Sequence, residues 1–197
     1  SRYNDVLNKH FPDNKNVFDM LNVKYLGSDI RHSALGNAWF ISNVKYVNTA
    51  QEEFNYLSDS NFDPKSTIIV NNKDSLNISQ SNYFSNNDQI DLINYNPNEL
   101  VYKSQSENKQ LAVFSEIYYP KGWNAYIDGE KAPYFRANYI LRALEVPKGE
   151  HTVTFKFEPN SFYVGNNIAL ASSIIFILTF ISLFFPYFRT KFRLLKK

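Results

Sequence analysis

The residues best suited to chemistry crowd into one stretch, Tyr118 to Arg142, which reads YYPKGWNAYIDGEKAPYFRANYILR. Tyr118, Tyr119, Trp123, Tyr126, Tyr134, Phe135 and Tyr139 interleave there with Asp128, Arg136, Asn138 and Arg142. A sugar ring stacks an apolar face on Trp or Tyr while Asn, Asp and Arg hydrogen-bond its hydroxyls, so this mixture suits carbohydrate. Trp123, Tyr126, Arg136, Asn138 and Tyr139 are the candidate residues for binding a glycan or a glycan acceptor. The same side chains also suit a sandwich core with satisfied polar edges, and Trp123 fits a core position as well as a ligand platform. For Arg136 and Arg142 the simplest role is an ion pair to Asp128, Glu116 or Glu145; the sharper one is a phosphate-bearing acceptor. Successive side chains on a strand point to opposite faces. An unbroken strand therefore cannot present Trp123 and Tyr126 together, and the patch must bend or lose one of them to the core.

No catalytic residue, metal site or cofactor is expected. His10, His32 and His151 lack metal-ligand spacing, and no HExxH pattern, Gly-rich phosphate loop or GxSxG elbow occurs. Asp128 is most simply the turn residue that Gly129 implies. Asn77-Ile-Ser79 matches a glycosylation sequon, a match too common to carry weight. The sequence has no cysteine, which rules out both disulfides and thiolate metal sites.

The elements that must position these residues read as strands. Outside one apolar run the composition favours Asn, Ser, Tyr and Phe, and aromatic residues suit strands while Asn and Ser suit the turns between them. Residues 2–10 form a short helix by the spacing of Tyr3, Val6, Leu7 and His10, and Val17 to Leu21 forms a further helical turn. Thr49 to Glu52 has a capping-box form that opens a helix through Leu57. Strands are expected at 22–26, at 37–47 as one strand or a bent pair, at 67–70, and along 88–95 and 99–103. Further strands follow at 111–119, 123–127, 132–135, 139–146 and 151–157, with turns at Asp128-Gly129 and Pro147-Lys148-Gly149. The polar stretch 73–87 reads as a loop or an edge excursion. Many short strands between regular turns indicate a mainly β domain, a β-sandwich or jelly roll with a few short helices, over residues 1–160.

Ile168 to Phe188 carries no charged residue. These roughly 21 residues match the roughly 30 Å hydrocarbon core of a bilayer, so one transmembrane helix is expected, with its linker, over 161–188. A basic tail follows at 189–197, with Arg189, Lys191, Arg193, Lys196 and Lys197 and no acid. The positive-inside rule places that tail in the cytoplasm and the large domain outside it. Without those five cations the rest is slightly acidic, which argues against nucleic acid as a partner. The chain opens on Ser-Arg-Tyr with no signal-peptide pattern, so an external domain calls for a signal sequence or earlier spans upstream. The small residues Ala169, Ala171, Ser172 and Ser173 are candidates for a face packed on such spans.

The run FSEIYYPKGWNAYIDGEKAPYFRANYILRALEVPKGEHTVTFKFEP, followed by the span, resembles the C-terminal end of the YfhO family of bacterial integral membrane proteins. The segments RYNDVLNKH, VFDMLNVKYL and GNAWFISNVKYV resemble that family's residues just after its multi-span portion. The resemblance implies a parent of the GT-C glycosyltransferase type, which takes sugar from a polyprenyl-phosphate donor outside the cytoplasm. Its acceptor would be a cell-envelope glycopolymer or a lipid-linked glycan. The family's catalytic acid lies in an early external loop with no counterpart here, so no catalytic residue carries over to this chain. Under this reading the chain is the non-catalytic extracytoplasmic domain and last helix of a cell-membrane enzyme, partnered by the bilayer and by the upstream spans. The other reading is a membrane-tethered carbohydrate-binding or envelope-scaffolding module with no enzyme activity.

Overall fold

The structure, a computed structural model, describes residues 1–11, 13–74 and 87–194, with side chains described as far as Phe185. It forms two units, Ser1–Phe157 and Glu158–Lys197. In chain order the first unit contains α1 (Arg2–Lys9), α2 (Lys15–Met20), β1 (Tyr25–Leu26), β2 (Asp29–Ile30), β3 (Ala38–Ile41), β4 (Asn43–Val47), α3 (Ala50–Tyr56) and β5 (Thr67–Asn71). Then follow β6 (Gln89–Asn96), β7 (Glu99–Ser106), β8 (Gln110–Ile117), β9 (Trp123–Ile127), β10 (Glu130–Ala132), β11 (Phe135–Ala137), β12 (Leu141–Val146) and β13 (Gly149–Phe157).

This unit is mainly β. A five-stranded antiparallel sheet, β10-β9-β13-β7-β6, faces a four-stranded one, β11-β12-β8-β3. The chain changes sheet after β7, β8, β10 and β12, so both sheets close around one core. That core joins Phe40, Leu100, Tyr102, Phe114, Leu144, Val153 and Phe155. The five-stranded sheet is wet on its other face, and β7 accordingly alternates: Leu100, Tyr102, Ser104 and Ser106 are buried while Lys103 and Gln105 are exposed. By contrast β8 is buried without a break from Gln110 to Phe114. Its sheet is covered twice, and a strand covered on both faces reads as a continuous apolar run. Ala112 and Phe114 face the other sheet. Leu111 and Val113 face a third layer built from α1, α2, α3 and the parallel pair β4–β5.

Local signals set the ends of these elements. The Thr49 hydroxyl accepts from the Glu52 N–H at 3.1 Å, and the Glu52 carboxylate reaches back to the Asn48 N–H at 2.9 Å, one residue before the cap. Asp128 and Gly129 have φ of +51° and +87°, as a two-residue type I′ hairpin turn needs. Residues 37–47 form two strands that part at Ser42, β3 joining the sandwich and β4 the parallel pair. The single strand expected at 132–135 is divided by Pro133 and Tyr134 into β10 and β11, which lie in different sheets. The strand expected at 22–26 shrinks to β1. Most of the polar stretch 73–87, with Asn77, lies outside the described residues.

The second unit is one helix, α4 (Asn160–Leu194), of 35 residues. At about 1.5 Å per residue it exceeds the roughly 30 Å core of a bilayer, and Asn160–Phe185 is long and apolar enough to cross one. The hydroxyls of Ser172, Ser173 and Thr179 donate to carbonyls one turn back, each at 2.8 Å. Polar side chains in hydrocarbon need such internal partners. The helix starts eight residues before Ile168 and continues beyond Phe188, so the expected connector at 161–167 and the first part of the basic tail are helical. Residues 195–197 lie outside the described residues.

Candidate functional site

The five candidate residues lie in three places. Asn138 and Tyr139 form the turn between β11 and β12, both in left-handed backbone with φ of +46° and +70°. Such geometry costs about 1–2 kcal/mol per non-Gly residue, and here it is offset by buried bonds. The Asn138 N–H donates to the Ile69 carbonyl at 2.9 Å, and its side-chain oxygen accepts from the Ile69 N–H at 2.8 Å. The Tyr139 N–H donates to Glu53 Oε1 at 2.8 Å, and its hydroxyl donates to Asp5 at 3.2 Å. Arg2 lies over the Tyr139 ring, 4.6 Å from its centroid, and binds Glu53 Oε2 at 2.7 Å. Burial pushes the Glu53 carboxyl above its ordinary pKa, while Arg2 and the Tyr139 N–H pull it back. Both residues hold the third layer to the sandwich.

Tyr126 stands on the outer face of the five-stranded sheet. Its strand neighbours are Thr154 and Lys131, and the Lys156 ammonium is 6.0 Å from its ring. Trp123, three residues earlier on β9, points the opposite way and packs on the sandwich core. The odd spacing therefore separates them. Asp128 is a turn residue with a further task. Its carboxylate accepts from the Thr152 N–H at 2.8 Å and contacts His151 Nδ1 at 2.6 Å. The hydrogen bond to His151 holds the Asp128 carboxyl below its ordinary pKa, and the same bond raises that of His151.

Trp123 and Arg136 do belong to one assembly. Arg136 and Arg142 are direct cross-strand partners on β11 and β12, where like charges oppose each other at a cost. Arg136 binds Asp74 at 2.7 Å and lies over the Tyr118 ring at 5.4 Å. Tyr118 packs on Tyr134, and Tyr134 on Phe155. Arg142 lies over Phe155 at 5.2 Å and over Trp123 at 4.4 Å, and Trp123 touches Phe157. Two guanidinia are thus set among five rings in one row at the end of the sandwich where β13 finishes.

Arg142 anchors that row. It is only 3% exposed and donates through Nε to the Ile117 carbonyl at 3.0 Å. Its Nη1 and the Tyr102 hydroxyl are both buried without a hydrogen-bond partner. Glu116 shares this interior, and burial raises its carboxyl pKa against the pull of Arg142. The buried guanidinium lies beneath the Trp123 ring, and the less buried Arg136 sets positive charge beside the partly exposed Tyr118 ring. The sequence alone left Arg142 between an ion pair and a phosphate-bearing acceptor, and placed Tyr118 and Tyr134 only within the general aromatic cluster. The tight turn at 138–140, which brings Arg136 opposite Arg142, was the missing signal.

A cleft of about 460 Å³ between α2 and β3 is lined by Asp19, Trp39 and Asp63 among others. Its acids and indole are engaged: Asp19 with Arg31 and Ser33, Asp63 with the Lys65 N–H and Ser66, and the Trp39 indole with the Pro64 carbonyl. Among the described residues no three His, Asp or Glu side chains converge as a metal ion would need.

A family model described as bacterial membrane protein YfhO matches residues 68–169, just over half of the chain, from β5 into α4. No curated protein and no solved structure matches it.

Proposed function

The chain belongs to the YfhO family of bacterial membrane proteins, and from that premise we propose that it is the extracytoplasmic acceptor-placing portion of a membrane glycosyltransferase. The enzyme would draw sugar from a polyprenyl-phosphate donor and pass it to a cell-envelope glycopolymer or lipid-linked glycan. This portion supplies no catalytic residue. It holds the acceptor with Trp123, Tyr118 and Tyr134 against the sugar and with Arg136 against an anionic group, while the buried Arg142 supports the Trp123 ring from beneath. Tyr126, on the opposite face beside Lys156, is a separate platform. Asn138 and Tyr139 act as positioning residues for β11 and β12. The observation that supports the reading most is the row of guanidinia and rings, carried on a domain that only Glu158 and Pro159 separate from a membrane-length helix.

The test is sugar transfer by the full-length enzyme in its membrane. Removing a charge-assisted hydrogen bond worth about 1.5–3 kcal/mol predicts that Arg136→Gln raises KM for the acceptor about tenfold or more, with kcat and donor KM retained. Asp74→Asn, which frees Arg136 from its ion pair, should leave acceptor affinity equal or higher. Unchanged acceptor KM in Arg136→Gln would overturn the assignment. The second reading, a binding or scaffolding module, draws support from how many motif residues are spent on packing. It predicts glycan retention by the domain with no transfer at all.

A further inference from the structure

The large apolar side chains left exposed on the first unit are distributed unevenly. Of these, Tyr25, Leu26, Ile30, Tyr95, Ile117 and Tyr119 lie toward one end of the sandwich, while Tyr3 stands on α1, Tyr46 on β4 and Ile93 on β6. Tyr95 is next to the β6–β7 turn, whose Asn98 carbonyl accepts from the Phe157 N–H. Ile117 and Tyr119 follow Ser115 at the end of β8. Ser115 in turn donates to the Met20 and Asn37 carbonyls, which bracket the segment that carries the β1–β2 hairpin. Arg142, bonded to the Ile117 carbonyl, covers Trp123, the strand partner of Phe157. This is therefore the end from which the chain leaves for α4. The opposite end carries Asp88, Glu107, Lys109, Asp128, Lys148 and Glu150, with no large exposed apolar side chain among the described residues.

The β1–β2 hairpin is the most exposed part of that end. Its two strands pair only with each other, Tyr25 opposite Ile30 and Leu26 opposite Asp29. Among its turn residues only Gly27 has positive φ, at +63°, the arrangement of a tight type II′ turn. Tyr25 is 66% exposed and Ile30 60%. Water alone would not favour two such side chains on a tip that buries neither. The flanking Lys24 is exposed as well, and a basic residue beside Tyr and aliphatic side chains matches the composition of a membrane–water interface.

We propose that this end of the sandwich rests on the bilayer that α4 crosses, and that the hairpin inserts Tyr25, Leu26 and Ile30 at the level of the lipid headgroups, where the polar turn residues Ser28 and Asp29 remain hydrated. The occupant is lipid, not a second protein surface. The connection is short: β13 ends at Phe157 and α4 starts at Asn160. The charged end then faces water. The proposal rests on α4 spanning the membrane and not on which polymer is glycosylated.

Because the chain has no cysteine, single labels report cleanly. The full chain would be reconstituted in phosphatidylglycerol-containing vesicles with an environment-sensitive fluorophore on Leu26→Cys, Ile30→Cys, Glu130→Cys or Phe176→Cys. Brominated lipid and an aqueous quencher then compete for each label. The expected result is a blue-shifted emission at positions 26 and 30, lost to brominated lipid, with position 130 lost to the aqueous quencher. Tip labels quenched from water as strongly as position 130 would overturn the proposal. Tip labels shielded from both quenchers would also overturn it, since protein would then cover the hairpin. A label at 176 that brominated lipid cannot reach would remove the spanning premise and the proposal together. Loss of sugar transfer, by contrast, would leave these readings unchanged.

Discussion

Asp128 and His151 show how a motif pair that looks chemical can be spent on architecture. Asp128 closes the β9–β10 turn, and His151, near the start of β13, donates to its carboxylate and to the Lys148 carbonyl. Two turns are thereby stitched together. The His151 pKa is raised, so its contribution to stability is complete below the ordinary value of about 6.5 and is lost as pH rises through the higher folded value. The depressed Asp128 pKa adds stability above about 3.9, lost as pH falls through the lower folded value. Asp128→Asn should therefore bring the His151 titration, followed by NMR, back toward 6.5 and flatten the alkaline side of the stability profile. His10 behaves oppositely. It is buried, and its Nδ1 accepts from the Asn14 amide and the Ser58 hydroxyl. Nε2 therefore carries the proton, and burial lowers the pKa. Its contribution is present above about 6.5 and lost as pH falls, because a second N–H would oppose the Asn14 donor. At the β11–β12 turn, Arg2→Ala leaves the Glu53 carboxylate buried without its ion pair, and chemical denaturation should show a loss of about 3–5 kcal/mol.

Elements differ in how legible they were. The alternating strands β7, β9 and β13 could be read directly, because each has one wet face. The Thr49 cap and the Asp128-Gly129 turn were equally plain, being set by residues adjacent in sequence. Where the reading merged elements, the deciding facts were tertiary. Ser42 and Pro133-Tyr134 are points where the chain passes to another sheet, and nothing in local propensity marks which sheet comes next. The site suffered likewise. Trp123 and Arg136 share a row only because β11 folds back on β12, whereas Asn138 and Tyr139 look exposed and polar but are consumed by Ile69 and Glu53. The unbroken apolar run of β8 predicts sensitivity on both faces. Phe114→Ala, removing a ring packed on Tyr102 and Phe155, should cost about 3–5 kcal/mol in urea unfolding. Lys103→Ala, on the wet face of β7, should stay within about 0.5 kcal/mol.

For the whole molecule, the sandwich and α4 divide the work. The sandwich carries the aromatic and cationic row, and α4 carries the membrane anchorage. Ser172 and Ser173 already satisfy their hydroxyls within the helix, so replacing Ala169 or Ala171 with Phe tests packing alone. If α4 is the last span of a bundle, those replacements should lower co-purification of the sandwich with the upstream spans; a lone anchor would tolerate them. Everything proposed for the acceptor requires that the sandwich lie outside the cytoplasm, with the basic end of α4 inside. Single cysteines in the full-length protein, introduced as Glu130→Cys or Lys196→Cys, can be probed in intact cells with a membrane-impermeant maleimide. The account predicts labelling at position 130 in intact cells and at position 196 only after lysis. Labelling at 196 but not 130 in intact cells would contradict it.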